Sequence, residues 1–235
     1  MAVRAPGFTL HVMTAASIRV LVVDDHPAVR QGIEAMLGYE DGIVCVGTAA
    51  SAGEAHALWT AAERPPADVV VVDRHLPDED GLSLCLWLRT RTPAPAVVIY
   101  SAFADEALTL PAVVAGASGL VGKVADPADL CEAVRAAAAG ERRLPDPSPT
   151  VGAVQAARLG TEDLPVLGML RHGVPADEIA TTLGLDDAAL VTRRWAMLEA
   201  LHGAPDHRSE PRALPRIQAT RISSPAAAMM SPGRS

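Results

Sequence analysis

The chain has 235 residues, of which 49% are hydrophobic and 20% charged, which suits one or two packed domains. Its formal net charge of −8 gives no whole-chain signature of a nucleic-acid-binding protein. No stretch approaches the roughly 18 consecutive apolar residues of a membrane-spanning helix. Residues 1–17 make a poor signal peptide, so we expect a disordered N-terminal extension, with Met13 as an alternative start, on a soluble cytoplasmic protein.

Residues 18–142 alternate between two hydrophobic periods. Five short apolar runs predict β-strands: Ile18–Asp24, Ile43–Ala49, Asp68–Asp73, Ala96–Ala102 and Ser118–Lys123. Five longer stretches between and after them predict helices: Pro27–Tyr39, Ser51–Glu63, Gly81–Arg91, Asp105–Ala117 and Asp126–Gly140. This alternation predicts an α/β fold with a doubly wound five-stranded parallel sheet. Because Pro111 falls in the middle of the fourth helix, we expect that helix to be short or kinked.

The rest of the chain differs in composition. The segment LPDPSPT, from Leu144 to Thr150, contains three prolines in seven residues and predicts a stiff, extended linker, which we place at residues 143–158. Residues 159–203 have helical spacing and predict a small all-α domain. Residues 204–235 lack periodicity, carry five arginines against two acidic residues, and predict a disordered basic tail.

Polar side chains end four of the predicted strands: Asp24 and Asp25, Asp73, Ser101, and Lys123. Each alone has an ordinary explanation, as a helix cap, a turn residue or a solvated charge. The carboxyl ends of parallel strands, however, are where ligands bind in such sheets, and there the side chains would converge. We therefore treat them as one site.

The chemistry of that set is specific. Crowded carboxylates repel one another, and Mg²⁺, which prefers oxygen ligands, removes the repulsion. An ammonium and a hydroxyl beside a carboxylate stabilise the charge of a transferring phosphoryl group. A carboxylate can itself be the nucleophile, which gives an aspartyl phosphate.

The motifs VVDDHP, DVVVVDRHLPDEDGL, IYSA and AGASGLVGK together resemble the receiver domain of two-component response regulators over residues 18–142. The resemblance implies that Asp73 is the phosphoacceptor and that Ser101 and Lys123 contact the phosphoryl oxygens. It also implies a magnesium site, with these ligands: Asp24, Asp25, Asp73 and the backbone carbonyl of His75. One position departs from the family, since Leu120 stands where receivers carry Tyr or Phe three residues before the lysine.

Residues 159–203 resemble the LuxR/NarL-type helix-turn-helix domain. EIATTLGL, from Glu178 to Leu185, matches the scaffold helix and turn, and the next helix has apolar residues at family positions: Leu190, Met197, Leu198 and Leu201. The DNA-facing pattern departs, because Ala189, Leu190 and Val191 stand where Thr-Val-Lys is typical. Residues 161–202 contain three basic against seven acidic residues. The candidate DNA contacts are therefore Arg193 and Arg194.

The resemblance implies a response regulator, not an enzyme. Its partners would be a sensor histidine kinase and promoter DNA, and it would form a homodimer on phosphorylation. The alternative is a phosphorylation-controlled regulator whose helical domain binds a protein instead of DNA. A magnesium phosphatase of the haloacid-dehalogenase type is disfavoured, because its nucleophile would end the first strand in a DxD pattern, whereas Asp24 and Asp25 are adjacent.

Overall fold

A computed structural model describes residues 17–61 and 67–202. Five parallel strands form one sheet in the order β2-β1-β3-β4-β5. The strands are β1 (Ile18–Val23), β2 (Ile43–Ala49), β3 (Val69–Asp73), β4 (Ala96–Ser101) and β5 (Gly119–Gly122). The predicted α/β fold with a five-stranded parallel sheet is confirmed. The predicted N-terminal extension, apart from Ser17, and the predicted tail lie outside the described residues.

Five helices flank the sheet: α1 (Pro27–Gly38), α2 (Ala52–Ala61), α3 (Gly81–Arg89), α4 (Glu106–Ala115) and α5 (Pro127–Ala138). Three of them begin after an aspartate whose carboxylate accepts a hydrogen bond from a first-turn backbone N–H: Asp80, Asp105 and Asp126. Such caps satisfy donors that have no partner inside the helix, which fixes where these helices start.

The sheet is apolar on both faces because helices cover both. Along β3, Val70 and Val72 belong to one buried cluster, and Val69 and Val71 belong to the other. This alternation follows from the two-residue period of a strand. It explains why β3 reads as a continuous run of valines instead of an alternating pattern.

Four helices follow the sheet: α6 (Pro149–Ala156), α7 (Leu164–Arg171), α8 (Ala176–Leu183) and α9 (Asp187–Leu201). The predicted small all-α region is confirmed. Helix α6, however, lies inside the segment 143–158, which we expected to be extended. Pro149 occupies the first helical turn, where its fixed φ and missing N–H are tolerated, so a proline-rich sequence still starts a helix. Among the described residues, no helix is long and apolar enough to span a bilayer.

The helical region packs on the face of the sheet that carries α3 and α4. Leu190, Met197 and Leu198 of α9 belong to the same buried cluster as Leu108 and Leu110 of α4. Every residue of α4 from Leu108 to Ala115 is buried as a result. The two regions therefore share one apolar core in this arrangement.

Helix α4 runs through Pro111 to Ala115 and has ten residues, one more than α3, so the proline does not cut it short. Pro111 has no N–H to donate to the carbonyl oxygen of Ala107, one turn earlier. The side chain of Gln155 from α6 takes that place, because its Nε2 donates to the Ala107 oxygen at 2.6 Å. Gln155 is only 5% exposed. A buried carbonyl left free by proline is thus satisfied from another helix.

This arrangement predicts a thermodynamic coupling between Gln155 and Pro111. We expect Gln155→Ala to lower the free energy of unfolding by about 1–3 kcal/mol, because it leaves the Ala107 carbonyl unsatisfied. In a Pro111→Ala background the restored N–H of residue 111 should satisfy that carbonyl, and the same substitution should have a smaller effect. Urea unfolding of the four proteins measures the cycle, and equal effects in both backgrounds would contradict it.

Candidate functional site

The candidate site lies at the carboxyl edge of the sheet. Asp24 directly follows β1, Asp73 ends β3, Ser101 ends β4, and Lys123 directly follows β5. The Lys123 ammonium contacts two carboxylates at once, with Nζ 2.6 Å from Asp24 Oδ2 and 2.8 Å from Asp73 Oδ2. The structure therefore brings together side chains that lie up to 99 residues apart in the sequence.

The residues of the site differ in burial, and we call the buried ones the floor of the site and the partly exposed ones its mouth. Asp24, Asp73 and Ser101 are buried, whereas the side chains of Lys123 and Asp25 are 18% and 35% exposed. Burial lowers the pKa of Lys123, but its hydrogen bonds to Asp24 and Asp73 outweigh that effect and raise the pKa above its usual value. The lysine therefore stays charged and offsets part of the negative charge of the pair.

Four side chains of the site can offer ligand atoms to one metal ion. The carboxylates of Asp24, Asp25 and Asp73 and the ring of His26 each place an atom within 4.8 Å of the others. Three carboxylates with a single nearby ammonium leave excess negative charge, and oxygen donors suit Mg²⁺. The donor set therefore fits a magnesium ion. His26 was not among the predicted ligands, although it directly follows the two aspartates in the sequence.

Backbone and side-chain contacts fix the groups at the floor. The His26 backbone N–H donates to Asp24 Oδ1 at 2.8 Å, and Arg30 Nη1 donates to the Asp24 carbonyl oxygen at 2.5 Å. Ser101 Oγ accepts from the backbone N–H of Phe103 at 3.2 Å, which leaves the hydroxyl hydrogen to donate elsewhere. Asp24 and Ser101 are thus held in place before any ligand binds.

The loop from β3 to α3 packs tightly behind Asp73. The Gly81 N–H donates to the Arg74 carbonyl oxygen at 2.7 Å. A Cβ at Gly81 would lie 2.0 Å from the carbonyl oxygen of Asp73, so only glycine fits there. The sequence prediction of His75 as a backbone ligand falls in this loop, where its main chain pairs with that of Asp80.

Asp80 connects this loop to the helical region. Its Oδ2 lies 3.5 Å from Nε2 of His202, just beyond the end of α9, and 3.6 Å from Nε of Arg74. Burial raises the pKa of Asp80, but the nearby His202 and Arg74 outweigh burial and lower it. Asp80 therefore both caps α3 and faces the end of α9, and only the loop from β3 to α3 separates it from Asp73.

The position without the family aromatic is filled by Leu120, which is half-buried against the cluster that includes α4. An aromatic side chain does lie near the site, on another strand. The ring centroid of Tyr100 on β4 is 5.8 Å from Lys123 Nζ. Sequence reasoning passed over Tyr100, although it directly precedes Ser101 in the IYSA motif.

The two arginines predicted to contact DNA are engaged within the protein. Arg194 is 5% exposed, and its Nε donates to the carbonyl oxygen of Val114 in α4 at 2.9 Å. Arg193 donates to the Glu162 carbonyl at 3.2 Å and lies 3.7 Å from the Asp163 carboxylate. In this arrangement Arg194 cannot reach a DNA phosphate, because the side of α9 that bears it packs on α4.

Comparison with known proteins covers both regions. Residues 20–135 match the family model described as the response regulator receiver domain. The chain is 34% identical over 178 residues to the DNA-binding transcriptional activator DevR/DosR of Mycobacterium tuberculosis, covering 72% of this chain and 81% of that protein. It is 28% identical to the nitrate/nitrite response regulator NarL of Escherichia coli, covering 77% and 88%. The crystal structure of a LuxR-family two-component response regulator from Aurantimonas aligns with a TM-score of 0.51 and 36% identity, over 58% of this chain and 94% of that one.

The close approach at Gly81 predicts that this loop cannot accept a side chain. We expect Gly81→Ala to destabilise the protein by about 1–3 kcal/mol or more, because the backbone of Asp73 has to move. Gly32→Ala is the matched control, since a Cβ at Gly32, in α1, meets nothing within 4 Å. Alanine favours helix, so the control should be neutral or slightly more stable. Thermal unfolding compares the two, and equal midpoints would refute the expectation.

Proposed function

The chain belongs to the response regulators of two-component systems, and on that premise we propose that phosphorylation of Asp73 controls transcription through the C-terminal helices. The observation that carries the proposal is the contact of Lys123 with both Asp24 and Asp73. It places a cation beside the carboxylate that would be phosphorylated. We propose that the protein acts as a switch and not as an enzyme with a turnover substrate.

The side chains at the site divide the work of phosphoryl transfer. A sensor histidine kinase supplies the phosphoryl group, and an oxygen of Asp73 forms the new bond to phosphorus as the bond to the kinase histidine breaks. Asp24, Asp25 and Asp73, with the carbonyl of His75, would hold Mg²⁺, which supplies positive charge to the phosphoryl oxygens. Lys123 binds one phosphoryl oxygen, and the hydroxyl of Ser101 donates to another.

The structure offers a route from this site to α9. The loop from β3 to α3 already packs tightly against the backbone of Asp73, at Gly81. A phosphoryl group on Asp73 has to fit beside this loop. The neighbouring Asp80 carboxylate faces His202 at the end of α9. We propose that phosphorylation disturbs this contact and loosens α9 from α3 and α4. This route does not require an aromatic residue at the position of Leu120.

The output proposed is binding to promoter DNA by a phosphorylated homodimer. DevR/DosR, a relative named as a DNA-binding transcriptional activator, supports it. Since Arg194 is buried against α4, binding through α9 requires that α9 first leave α4. Arg193 and Arg194 would then supply the phosphate contacts of this helix.

Labelling with radioactive acetyl phosphate tests the phosphorylation. We expect magnesium-dependent incorporation into the chain, its loss in Asp73→Asn, and strong reduction in Asp25→Asn, because the second variant removes a ligand of the cation. Asp41→Asn removes an exposed aspartate away from the site and should label normally. Label that persists in Asp73→Asn, or maps to Asp24, would overturn the assignment.

Gel shifts on duplex DNA selected from a random pool, at several salt concentrations, test the output. We expect the phosphorylated chain to bind at least about tenfold more tightly than the unphosphorylated chain, and Arg193→Gln to reduce the salt slope by about one. Arg135→Gln, which removes an arginine of α5 paired with Glu40, is the control. If neither form binds better than an acidic control protein, a protein partner replaces DNA as the output.

A further inference from the structure

A cavity of about 470 Å³ lies at the other end of the sheet from Asp73. Its walls include Asp68, directly before β3, Ala96 at the start of β4, and Ser118, directly before β5. Its volume falls within the range of about 300–1,000 Å³ typical of small-molecule sites. The cavity is bounded by both the α/β region and the helical region, so an occupant would touch both.

Three arginines from three parts of the chain line this cavity. Arg89 ends α3, Arg142 follows α5, and Arg194 lies in α9. One nitrogen of each donates to a backbone carbonyl oxygen, those of Pro95, Leu170 and Val114 respectively. Each guanidinium carries five N–H donors in a planar fork, so each keeps further donors after that single bond.

The positive charges of this cluster are not balanced by the surrounding carboxylates. Among the described residues, no carboxylate forms an ion pair with Arg89, Arg142 or Arg194. Asp68, the acidic residue in the wall, accepts a hydrogen bond from the backbone N–H of Arg19 at 2.9 Å. Burial lowers the pKa of Arg194 to about 10, and the charges of Arg89 and Arg142 add to that effect. Three positive charges therefore lie close together in a partly desolvated cavity. Holding them there costs free energy unless an anion binds.

Gly116 makes the close approach of two of these arginines feasible. Its φ of +80° belongs to the left-handed region, and it caps the end of α4. A Cβ there would lie 2.6 Å from Arg194 Nη2 and 3.3 Å from Arg89 Cγ. The glycine therefore lets side chains from α3 and α9 meet at the cavity wall.

We propose that this cavity binds a small molecule through a diphosphate group, held by Arg89, Arg142 and Arg194. Planar guanidinium forks match the spacing of phosphate oxygens, and two phosphate groups carry enough negative charge to balance three cations. Because Arg194 belongs to α9 and the other two arginines to the α/β region, the ligand joins the two regions. It would therefore hold α9 on α4, independently of the state of Asp73.

Isothermal titration of the full chain with sodium pyrophosphate tests the proposal, in EDTA-containing buffer with sodium chloride at matched ionic strength as the blank. We expect one saturable site. Arg89→Gln and Arg142→Gln should each lower the affinity for pyrophosphate at least about tenfold, because hydrogen bonds between charged groups are stronger than those between neutral groups. Glutamine keeps one donor for the carbonyl contact, which protects the fold. Titration with ADP shows whether a nucleotide or the diphosphate group alone is recognised.

Two controls separate this site from other cationic places. Arg135→Gln removes an arginine paired with Glu40 and should bind pyrophosphate normally. Arg143→Gln removes an exposed arginine next to Arg142 that is paired with Glu132, and it should also bind normally. Neither control touches the phosphorylation site, so failure of the proposed function leaves this result unaffected. Should pyrophosphate bind no better than the chloride blank, or bind to Arg89→Gln and Arg142→Gln as tightly as to the unaltered chain, the proposal is wrong. A thermal melt of each variant without ligand verifies that it is folded.

Discussion

The ammonium of Lys123 contacts two buried carboxylates, and this contact organises the carboxyl edge of the sheet. Lys123 reaches across from β5 to Asp24 after β1 and Asp73 on β3, and so ties together three strands of the sheet. Burying Asp24 and Asp73 without such a partner would be unfavourable, because ions lose their hydration on leaving water. The lysine offsets only part of the charge, and with Asp25 at the mouth the site keeps an excess of negative charge. Lys123 therefore stabilises the fold at this edge and also supplies a cation for the proposed phosphoryl transfer.

A second constraint acts on α4. This helix is buried from Leu108 to Ala115, with the sheet behind it and the helical region in front. A helix that is covered on all sides can include proline only if another group satisfies the freed carbonyl, and Gln155 does so. It can end against α9 only if its last carbonyls find donors, and Arg194 supplies one. The chain thus commits polar side chains of α6 and α9 to the packing of α4.

These two constraints meet along α3 and α9. Asp80 at the start of α3 faces His202 beyond the end of α9. A Cβ at Gly116 would meet both Arg89 at the end of α3 and Arg194 in the middle of α9. Helix α9 therefore runs along α3 in the opposite direction. One of its ends lies near the proposed phosphorylation site and its middle lies near the arginine cavity. A ligand or modification at either end of the sheet can change the free energy of holding α9 in place, which is the requirement for coupling between sites.

The sequence alone determined the sheet, its flanking helices and the convergence of Asp24, Asp73, Ser101 and Lys123. Strand period, helix period and the binding edge of a parallel sheet are local or general rules, and polar residues at the ends of apolar runs obey them. Only the tertiary structure decided the continuity of α4 through Pro111, the contact of His202 with Asp80, and the burial of Arg194. Each of these depends on which helix packs on which, and no periodicity in a single segment encodes a partner more than 40 residues away. Arg194 is the clearest case. The sequence gives its position in the helix, but it does not give the surface against which that helix packs.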